Sequence, residues 1–463
     1  MKIVVCVKQS AAGELNPFDA CAYEAALRIP DAQVMLLSMG PEKSADMLES
    51  LTRLGAKRAV LLTDKAFAGA DTLATSYALS LVIKREAPDL VFCGRQTMDG
   101  DTAQVGPSLS RLCGYSLITN VMGINSVSNE EIFCTTRLGE EGARLPAVLT
   151  VERINDLRLP SIRSKVGQVE KLTAADIGAD LSRCGLAGSP TRVIKTFENE
   201  EGRRKCRFIS AEEIPLAIEQ GLKAAKERVA PVNLTGKKMN RVWIVGNKPM
   251  EMAKTVSEDI TVIQPDEPEK VAALIEKGKP RAVLWASDIY AKRTAPQVAA
   301  ILKTGLCADC TALESDGESL FMYRPAFSGN VIAKIACTTS PAMATVRTAE
   351  DEVCDIIVAV GLGAKEELER VQTFAKKIGA ELSATRAMVD AGNLPYSMQV
   401  GLTGKTVNPP VYIAVGVSGA VHHIAGMKNS GTVIAINSDK NAPIFDYADY
   451  GIVGDVKDII KAE

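Results

Sequence analysis

The sequence predicts an α/β protein of three domains, each a mostly parallel sheet with helices on both faces. Three observations predict it. Apolar runs of strand length alternate with segments of helical period through residues 1–183. The alternation restarts at Asn240-Arg241-Val242-Trp243-Ile244-Val245-Gly246 and again at Ile356-Ile357-Val358-Ala359-Val360-Gly361. The expected domains are therefore 1–183, 240–355 and 356–463, with 184–239 as a connector and arm.

In the first domain, Ile3–Val7 reads as a strand, Asp19–Ile29 as a helix, Gln33–Ser38 as a strand and Ala45–Leu54 as a helix closed by Gly55. Ala59–Leu62 and Leu90–Cys93 read as strands on either side of a helix at Thr72–Arg85, and Leu145–Val151 as a further strand. Asn155–Lys165 has no clear period and mixes aliphatic residues with cations. Between 184 and 238, Gly185, Gly188-Ser189-Pro190 and the charge run Glu198–Arg207 read as connector. One amphipathic helix, Ala211–Arg228, lies among them, and Pro231–Lys238 is the expected linker. The second domain places strands at Asp259–Ile263 and Ala282–Ala286. The third places a helix at Leu368–Ile378, strands at Val411–Val415 and Val433–Asn437, and a short helix at Val456–Lys461.

A formal net charge of −2 makes no electrostatic case for nucleic acid or an anionic membrane surface. No apolar run reaches the ~18 residues of a membrane span. The charged start, Met1-Lys2, lacks a secretory apolar region, so a cytoplasmic protein is expected. Eleven cysteines, odd in number and scattered in apolar stretches, fit reduced buried thiols better than a disulfide framework. Cys307-Ala308-Asp309-Cys310 is a close pair without the further ligands a metal site needs, so no metal is expected.

Only two histidines occur, His422 and His423, at the start of a predicted helix after the turn Val415-Gly416-Val417-Ser418-Gly419. Backbone N–H groups at such a helix start face an anion. Nearby lie Thr385-Arg386, Gln399–Lys405 and Asn437, so strand ends and polar glycine-rich turns recur through this region. Such a region suits a large flat cofactor with phosphates. Gly361-Leu362-Gly363 is half of a dinucleotide fingerprint, with Glu366 at the spacing of the missing third glycine. In the first domain, Gly94–Pro107 follows a strand, as do Asn16-Pro17-Phe18-Asp19 and Ser38-Met39-Gly40-Pro41. Together they mark a nucleotide pocket at the carboxyl ends of parallel strands. No nucleophile with a base and an orienting carboxylate is apparent, and no catalytic residue is assigned.

At these residues the chain resembles the electron transfer flavoproteins. Residues 1 to about 230 resemble the beta subunit, on Met1–Lys8, Asn16-Pro17-Phe18 and the 99–107 turn. Residues from about 240 resemble the alpha subunit. The motifs there are Ala387-Met388-Val389-Asp390-Ala391-Gly392, Thr403-Gly404-Lys405, Ser418-Gly419-Ala420 and Ala448-Asp449-Tyr450-Gly451-Ile452-Val453. The resemblance implies a beta–alpha fusion with domains of the Rossmann-like, adenine-nucleotide-hydrolase-like kind. It implies one FAD in the C-terminal domain, with Arg386 over the isoalloxazine near N5 and Thr385 beside it. Thr403 would bond at N5 or O4, in the run Val400, Gly401, Leu402, Thr403. Ser418, Gly419, Ala420, Val421, His422 and His423 would line the cofactor, His423 reaching the O2 side, and Asn437 and Asp455 match positions on the adenosine-diphosphate portion. In the N-terminal pocket the resemblance implies AMP or, in the electron-bifurcating branch, a second FAD. The implied contacts there are Cys6, Asn16, Pro17, Phe18, Asp19, Met39, Asp99, Gly100, Asp101, Thr102, Gln104, Val105 and Gly106; the 99–107 turn looks more like the bifurcating branch and Asn16-Pro17-Phe18 like the AMP branch. Two departures stand out: Leu362 where the family often has arginine, and His422 where some relatives have glutamine.

The implied function is a flavin electron carrier rather than a stand-alone enzyme, with NADH oxidation added if it bifurcates. Its implied partners are an acyl-CoA dehydrogenase-like or other flavin dehydrogenase and, in the bifurcating branch, NADH with ferredoxin or flavodoxin. Asn155–Lys165 aligns with the family's recognition loop, Ile162 standing at its anchoring position. Two readings from other classes stand beside this one. A non-redox adenine-nucleotide sensor is supported by the missing arginine at Leu362. A nicotinamide dehydrogenase acting alone is opposed by the incomplete fingerprint.

Overall fold

The computed structural model describes residues 1–10, 13–136, 138–152, 157–198, 204–228, 236–326, 331–348, 354–401, 404–405 and 407–461. The chain forms two compact units. The first comprises Met1–Thr196, Leu234–Phe327 and Ala333–Thr348; the second comprises Phe197–Asn233, Ser328–Ile332 and Ala349–Glu463. Among the described residues no helix is long and apolar enough to cross a membrane.

The first unit holds two sheets of the expected α/β kind. One has nine strands, in the order Gly139–Arg144, Glu131–Thr136, Ser116–Val127, Ala147–Val151, Leu90–Gly94, Lys2–Cys6, Gln33–Met39, Arg58–Leu62, Gln168–Leu172. The last seven are parallel, and the first two add on antiparallel. Lys2–Cys6 has its sequence successor Gln33–Met39 on one side and Leu90–Gly94 on the other. The strand order reverses between Lys2–Cys6 and Leu90–Gly94, the point at whose carboxyl ends open α/β sheets place their ligand crevice. The covering helices start as the sequence directs. Pro17 occupies the first turn of Pro17–Leu27. Asp71 caps Thr72–Glu86 by accepting from the N–H groups of Leu73 and Ala74, both at 3.0 Å.

The second sheet runs Ile260–Ile263, Val242–Val245, Ala282–Ala286, Ala342–Val346, Leu306–Cys310, all parallel. A smaller sheet orders Thr191–Glu198, Val331–Cys337, Leu320–Ala326 and Ala312–Ser315. Thr191–Glu198 corrects the reading of that stretch as plain connector. Its first residue is tied back by Asp71, whose Oδ2 accepts from both N–H (3.0 Å) and Oγ1 (2.7 Å) of Thr191.

The second unit is built on six parallel strands in the order Arg207–Phe208, Tyr450–Val453, Thr432–Asn437, Val411–Val415, Ile356–Val360, Glu381–Ala384. All five residues of Ile356–Val360 and of Val411–Val415 are buried, as expected for strands covered on both faces. The strand order reverses between these two. The helix Ile214–Arg228 lies in the amphipathic stretch read from the sequence, and Ile214, Ala217 and Ile218 join the core.

Candidate functional site

In the second unit the reversal lies where Ile356–Val360 and Val411–Val415 end, and the turns after them cross closely. A Cβ on Gly361 would lie 2.1 Å from the Gly416 carbonyl oxygen, and the Gly363 N–H donates to that oxygen at 3.1 Å. Gly416 itself takes φ +64°. The glycines of the half-fingerprint thus let two loops pass, while Leu362 between them is exposed. Beyond Gly416, Ser418, Ala420, Val421 and His422 are exposed, and Gly419 is buried against the backbone of Pro443 and Ile444. Asn437, expected at the adenosine-diphosphate portion, holds this turn. Its Nδ2 donates to Val417 O at 2.8 Å and its Oδ1 accepts from Asp439 N–H at 2.9 Å. Asp455 stands at the start of the short helix Val456–Ile459 without a side-chain capping bond, and is exposed beside Lys457.

Glu381–Ala384 delivers Thr385 and Arg386 to the same edge. Arg386 is half-exposed, its Nε 2.9 Å from Asp390 Oδ2 in an i,i+4 pair. The hydroxyl oxygens of Ser383 and Thr385 are buried without a hydrogen-bond partner. Polar atoms so placed are rare and call for a partner. Val400 and Gly401 are buried at this edge, with Val400 N–H donating to Ala384 O at 2.9 Å. Leu402 and Thr403 lie outside the described residues.

His423, expected on the O2 side of the flavin, is buried in the second unit. The residue is 5 % exposed. Nδ1 lies 3.0 Å from Val400 O and Nε2 2.9 Å from the Tyr412 hydroxyl. Burial pushes its pKa down to about 4, against the opposing hydrogen bond to Val400, so the ring is neutral at pH 7. Both nitrogens are engaged inside the protein, and the sequence signal for this was the apolar Tyr412 strand facing the helix.

The crevice of the first unit gathers the other predicted turns. Lys8 pairs with both Asp99 oxygens at 2.9 and 2.8 Å, and Asn16 Nδ2 donates to Gln96 O at 2.9 Å. The 97–101 turn closes on itself, with Gln96 Nε2 donating to Asp101 Oδ1 at 3.1 Å and Asp101 taking φ +49°. Pro17, Met39, Asp99, Gly100, Asp101, Thr102 and Val105 are partly exposed. Asn16 is 1 % exposed, with its Oδ1 buried and unpartnered.

Five of the predicted contacts also carry framework interactions. Cys6 and Phe18 are buried, and the Arg95 guanidinium stacks 4.9 Å above the Phe18 ring. Asp19 accepts from Lys8 N–H (2.8 Å) and Gly94 N–H (3.1 Å), tying the ends of two neighbouring strands; burial pushes its pKa up to about 7 despite these bonds. Gly106 packs its helix on a strand, where a Cβ would meet Thr150 Cγ2 at 2.3 Å. Gln104, 3 % exposed, accepts from the Thr72 hydroxyl and donates from Nε2 to Leu306 O at 3.1 Å. It joins the two sheets of the first unit, a long-range role that nothing near it in sequence signals. Also missed was Asp309, at φ +58°, whose carboxylate takes Arg347 in a bidentate pair at 3.1 and 2.6 Å and Ser287 at 3.0 Å.

Among the described residues no group of histidine, cysteine and carboxylate side chains could hold a metal ion, and the eleven cysteines are free. In the second unit, tight glycine crossings, unpartnered hydroxyls, an adjacent guanidinium and an exposed Ser418–His422 ridge fit a flat cofactor with hydrogen-bonding edges.

Comparison with known proteins agrees with this chemistry. The electron transfer flavoprotein domain matches residues 3–177 and 268–374, and the electron transfer flavoprotein FAD-binding domain matches 352–428. The chain is similar to an electron transfer flavoprotein subunit alpha of Thermoanaerobacterium thermosaccharolyticum, 38 % identical over 41 % of this chain and 72 % of the relative. It is similar to an electron transfer flavoprotein subunit beta of Megasphaera elsdenii, 37 % identical over 42 % of this chain and 87 % of the relative. A third relative is the lactate dehydrogenase (NAD(+),ferredoxin) subunit LctC of Acetobacterium woodii, 39 % identical over 40 % of this chain and 55 % of the relative. The chain belongs to the electron transfer flavoprotein family, with an FAD-binding C-terminal region and a role in electron transfer.

Proposed function

We propose that this chain is a beta–alpha fusion that carries both nucleotide sites of an electron transfer flavoprotein, accepts electrons from a flavin dehydrogenase or from NADH, and passes them to a redox acceptor. The observation that carries the fusion is the tandem match of one domain family, at 3–177 and 268–374, with the FAD-binding family following at 352–428. Bound FAD would supply the redox chemistry, taking and releasing electrons one or two at a time. Thr385, Arg386 and the Val400–Thr403 turn would hold the ring, with Ser418, Ala420, Val421 and His422 along its edge. The Arg386 guanidinium would favour added negative charge on the ring, as any fixed cation beside a developing anion does.

For the first-unit pocket we favour a second FAD over AMP. Support comes from the 99–107 turn and from the similarity to a subunit of an enzyme named for both NAD+ and ferredoxin. Pro17, Met39, Asp99, Gly100, Asp101, Thr102 and Val105 would line it, and the unpartnered Asn16 Oδ1 lies in its wall. Denaturation of purified protein and quantitation of released nucleotide test both points. Two FAD per chain and no AMP is the expected result. One FAD with one AMP would make the protein a simple carrier, and a colourless protein retaining adenine would favour the non-redox sensor.

A further inference from the structure

We propose that Arg324, in the first unit, binds a small oxyanion, a phosphate or a carboxylate, through the paired Nε–H and Nη2–H donors of its guanidinium.

The strand Leu320–Ala326 buries alternate residues, Leu320, Met322 and Arg324. Leu320 and Met322 join the core with Cys307, Cys310 and Leu313, so the alternation turns Arg324 to the same inner face. Backbone bonds fix the place. Thr311 N–H donates to Tyr323 O at 2.8 Å, and Arg347 N–H donates to Cys310 O at 2.9 Å. Arg324 therefore lies where the parallel strand Leu306–Cys310 ends. Burial pushes the Cys310 thiol up, and the Arg324 charge opposes that rise.

Arg324 is 6 % exposed, and its Nε and Nη2 are buried with no hydrogen-bond partner in the protein. Among the described residues no carboxylate pairs with it. The carboxylate next to Cys310, that of Asp309, is already engaged by Arg347 at 3.1 and 2.6 Å and by Ser287 at 3.0 Å. A buried charged donor left in this way is rare and calls for an acceptor.

The edge itself identifies the acceptor. Nε and Nη2 present two parallel N–H bonds, which match two oxygens of one oxyanion. Elsewhere in this chain the same edge holds a carboxylate: Arg347 takes Asp309 with it, and Arg158 takes Glu24 at 2.9 and 3.0 Å. At Arg324 the described residues supply the donors and no acceptor, so the acceptor comes from solution. Burial restricts it to a small species, inorganic phosphate or a short carboxylate.

Equilibrium dialysis of the flavin-loaded full chain against ³²P-phosphate tests the site, with FAD and AMP in excess to keep the nucleotide sites filled. Calorimetric titration with acetate under the same conditions tests the carboxylate. The expected result is one Arg324-dependent anion per chain. Arg324→Met should lose it, and Arg324→Lys, which keeps the charge but not the paired edge, should bind it at least about tenfold more weakly. Whichever anion binds more tightly identifies the ligand as phosphate or carboxylate. Binding of neither by the wild type, or equal binding by the wild type and Arg324→Met, would overturn the site. If Arg324→Met does not fold, undiminished affinity in Arg324→Lys overturns it instead.

Discussion

Ile162→Ala isolates the docking function expected of Asn155–Lys165, of which residues 157–165 are described. Ile162 is 100 % exposed and Leu159 89 % exposed, so neither packs against its own unit. The loop base, in contrast, is anchored. Leu157 packs on the core, and Arg158 binds Glu24 through Nε at 2.9 Å, Nη2 at 3.0 Å and its backbone N–H at 3.1 Å. Burial alone would raise the Glu24 pKa, but the hydrogen bonds from Arg158 and Arg28 overcome it and hold the carboxyl at about 2. Truncating Ile162 removes three carbons that contact nothing in the free protein, so stability should change by less than about 0.5 kcal/mol. Buried in a partner, the same carbons would be worth ~2.4 kcal/mol at ~0.8 per carbon, or roughly fiftyfold in affinity. The assay is reduction of this protein by its cognate flavin dehydrogenase. The expected result is a raised KM for this protein, with flavin content and Tm unchanged. An unchanged KM, or a lowered Tm with unchanged transfer per bound flavin, would refute the reasoning.

Arg386→Ala should lower the potential of the C-terminal flavin by roughly 1–3 kcal/mol, about 40–130 mV for one electron, and Asp390→Asn should raise it by freeing the guanidinium; spectroelectrochemical titration showing no shift with full FAD occupancy would remove Arg386 from the ring. The folded-state pKa of Asp19, about 7, lies above the usual carboxyl value, so its contribution to stability is fully present below pH ~4 and lost as pH rises through 7. Denaturant melts at pH 5 and pH 8 should show that loss in the wild type and not in Asp19→Asn, and equal differences would contradict it. For Arg158→Ala, the Glu24 carboxylate keeps Arg28 as a partner at 2.9 Å but loses three hydrogen bonds, which should cost about 1–3 kcal/mol at pH 7, with less lost as pH falls toward 2, where the wild-type carboxyl is itself protonated. Gln104→Leu should lower stability by about 1–3 kcal/mol through two lost hydrogen bonds while the nucleotide stoichiometry stays unchanged; loss of the N-terminal nucleotide at unchanged Tm would restore Gln104 to the pocket wall.

The parallel sheets were legible because their strands are continuous apolar runs ended by glycine-rich turns. Ala282–Ala286 and Val411–Val415 occur where the sequence puts them. The antiparallel extension was not legible, and the reason is local. In Glu131–Thr136 the buried set is Ile132, Cys134 and Thr136, while Phe133 points outward and lies over Gly142. Period-two burial is present, but the largest apolar residue sits on the outer face and a threonine on the inner one, which erases the alternation. Gly139–Arg144 carries hardly any apolar residue and owes its place to pairing with Glu131–Thr136.

Within the sites, the sequence locates the turns and leaves open the facing of each side chain. Ser418–His423 shows why. Ser418, Ala420, Val421 and His422 are exposed, while Gly419 and His423 turn inward, so a single six-residue motif holds both the surface offered to a cofactor and the parts that shape it. The 99–107 turn divides likewise: Asp99 to Thr102 keep open surface, and Gln104 and Gly106 are consumed in packing two sheets and a strand–helix contact. Residue type does not separate the classes, because a buried glutamine or histidine is held by the same hydrogen bonds that would make it a good ligand contact. What separates them is the long-range partner. Leu306 for Gln104 and Tyr412 for His423 stand on elements whose proximity only the fold creates, so no reading of the local motif could supply them.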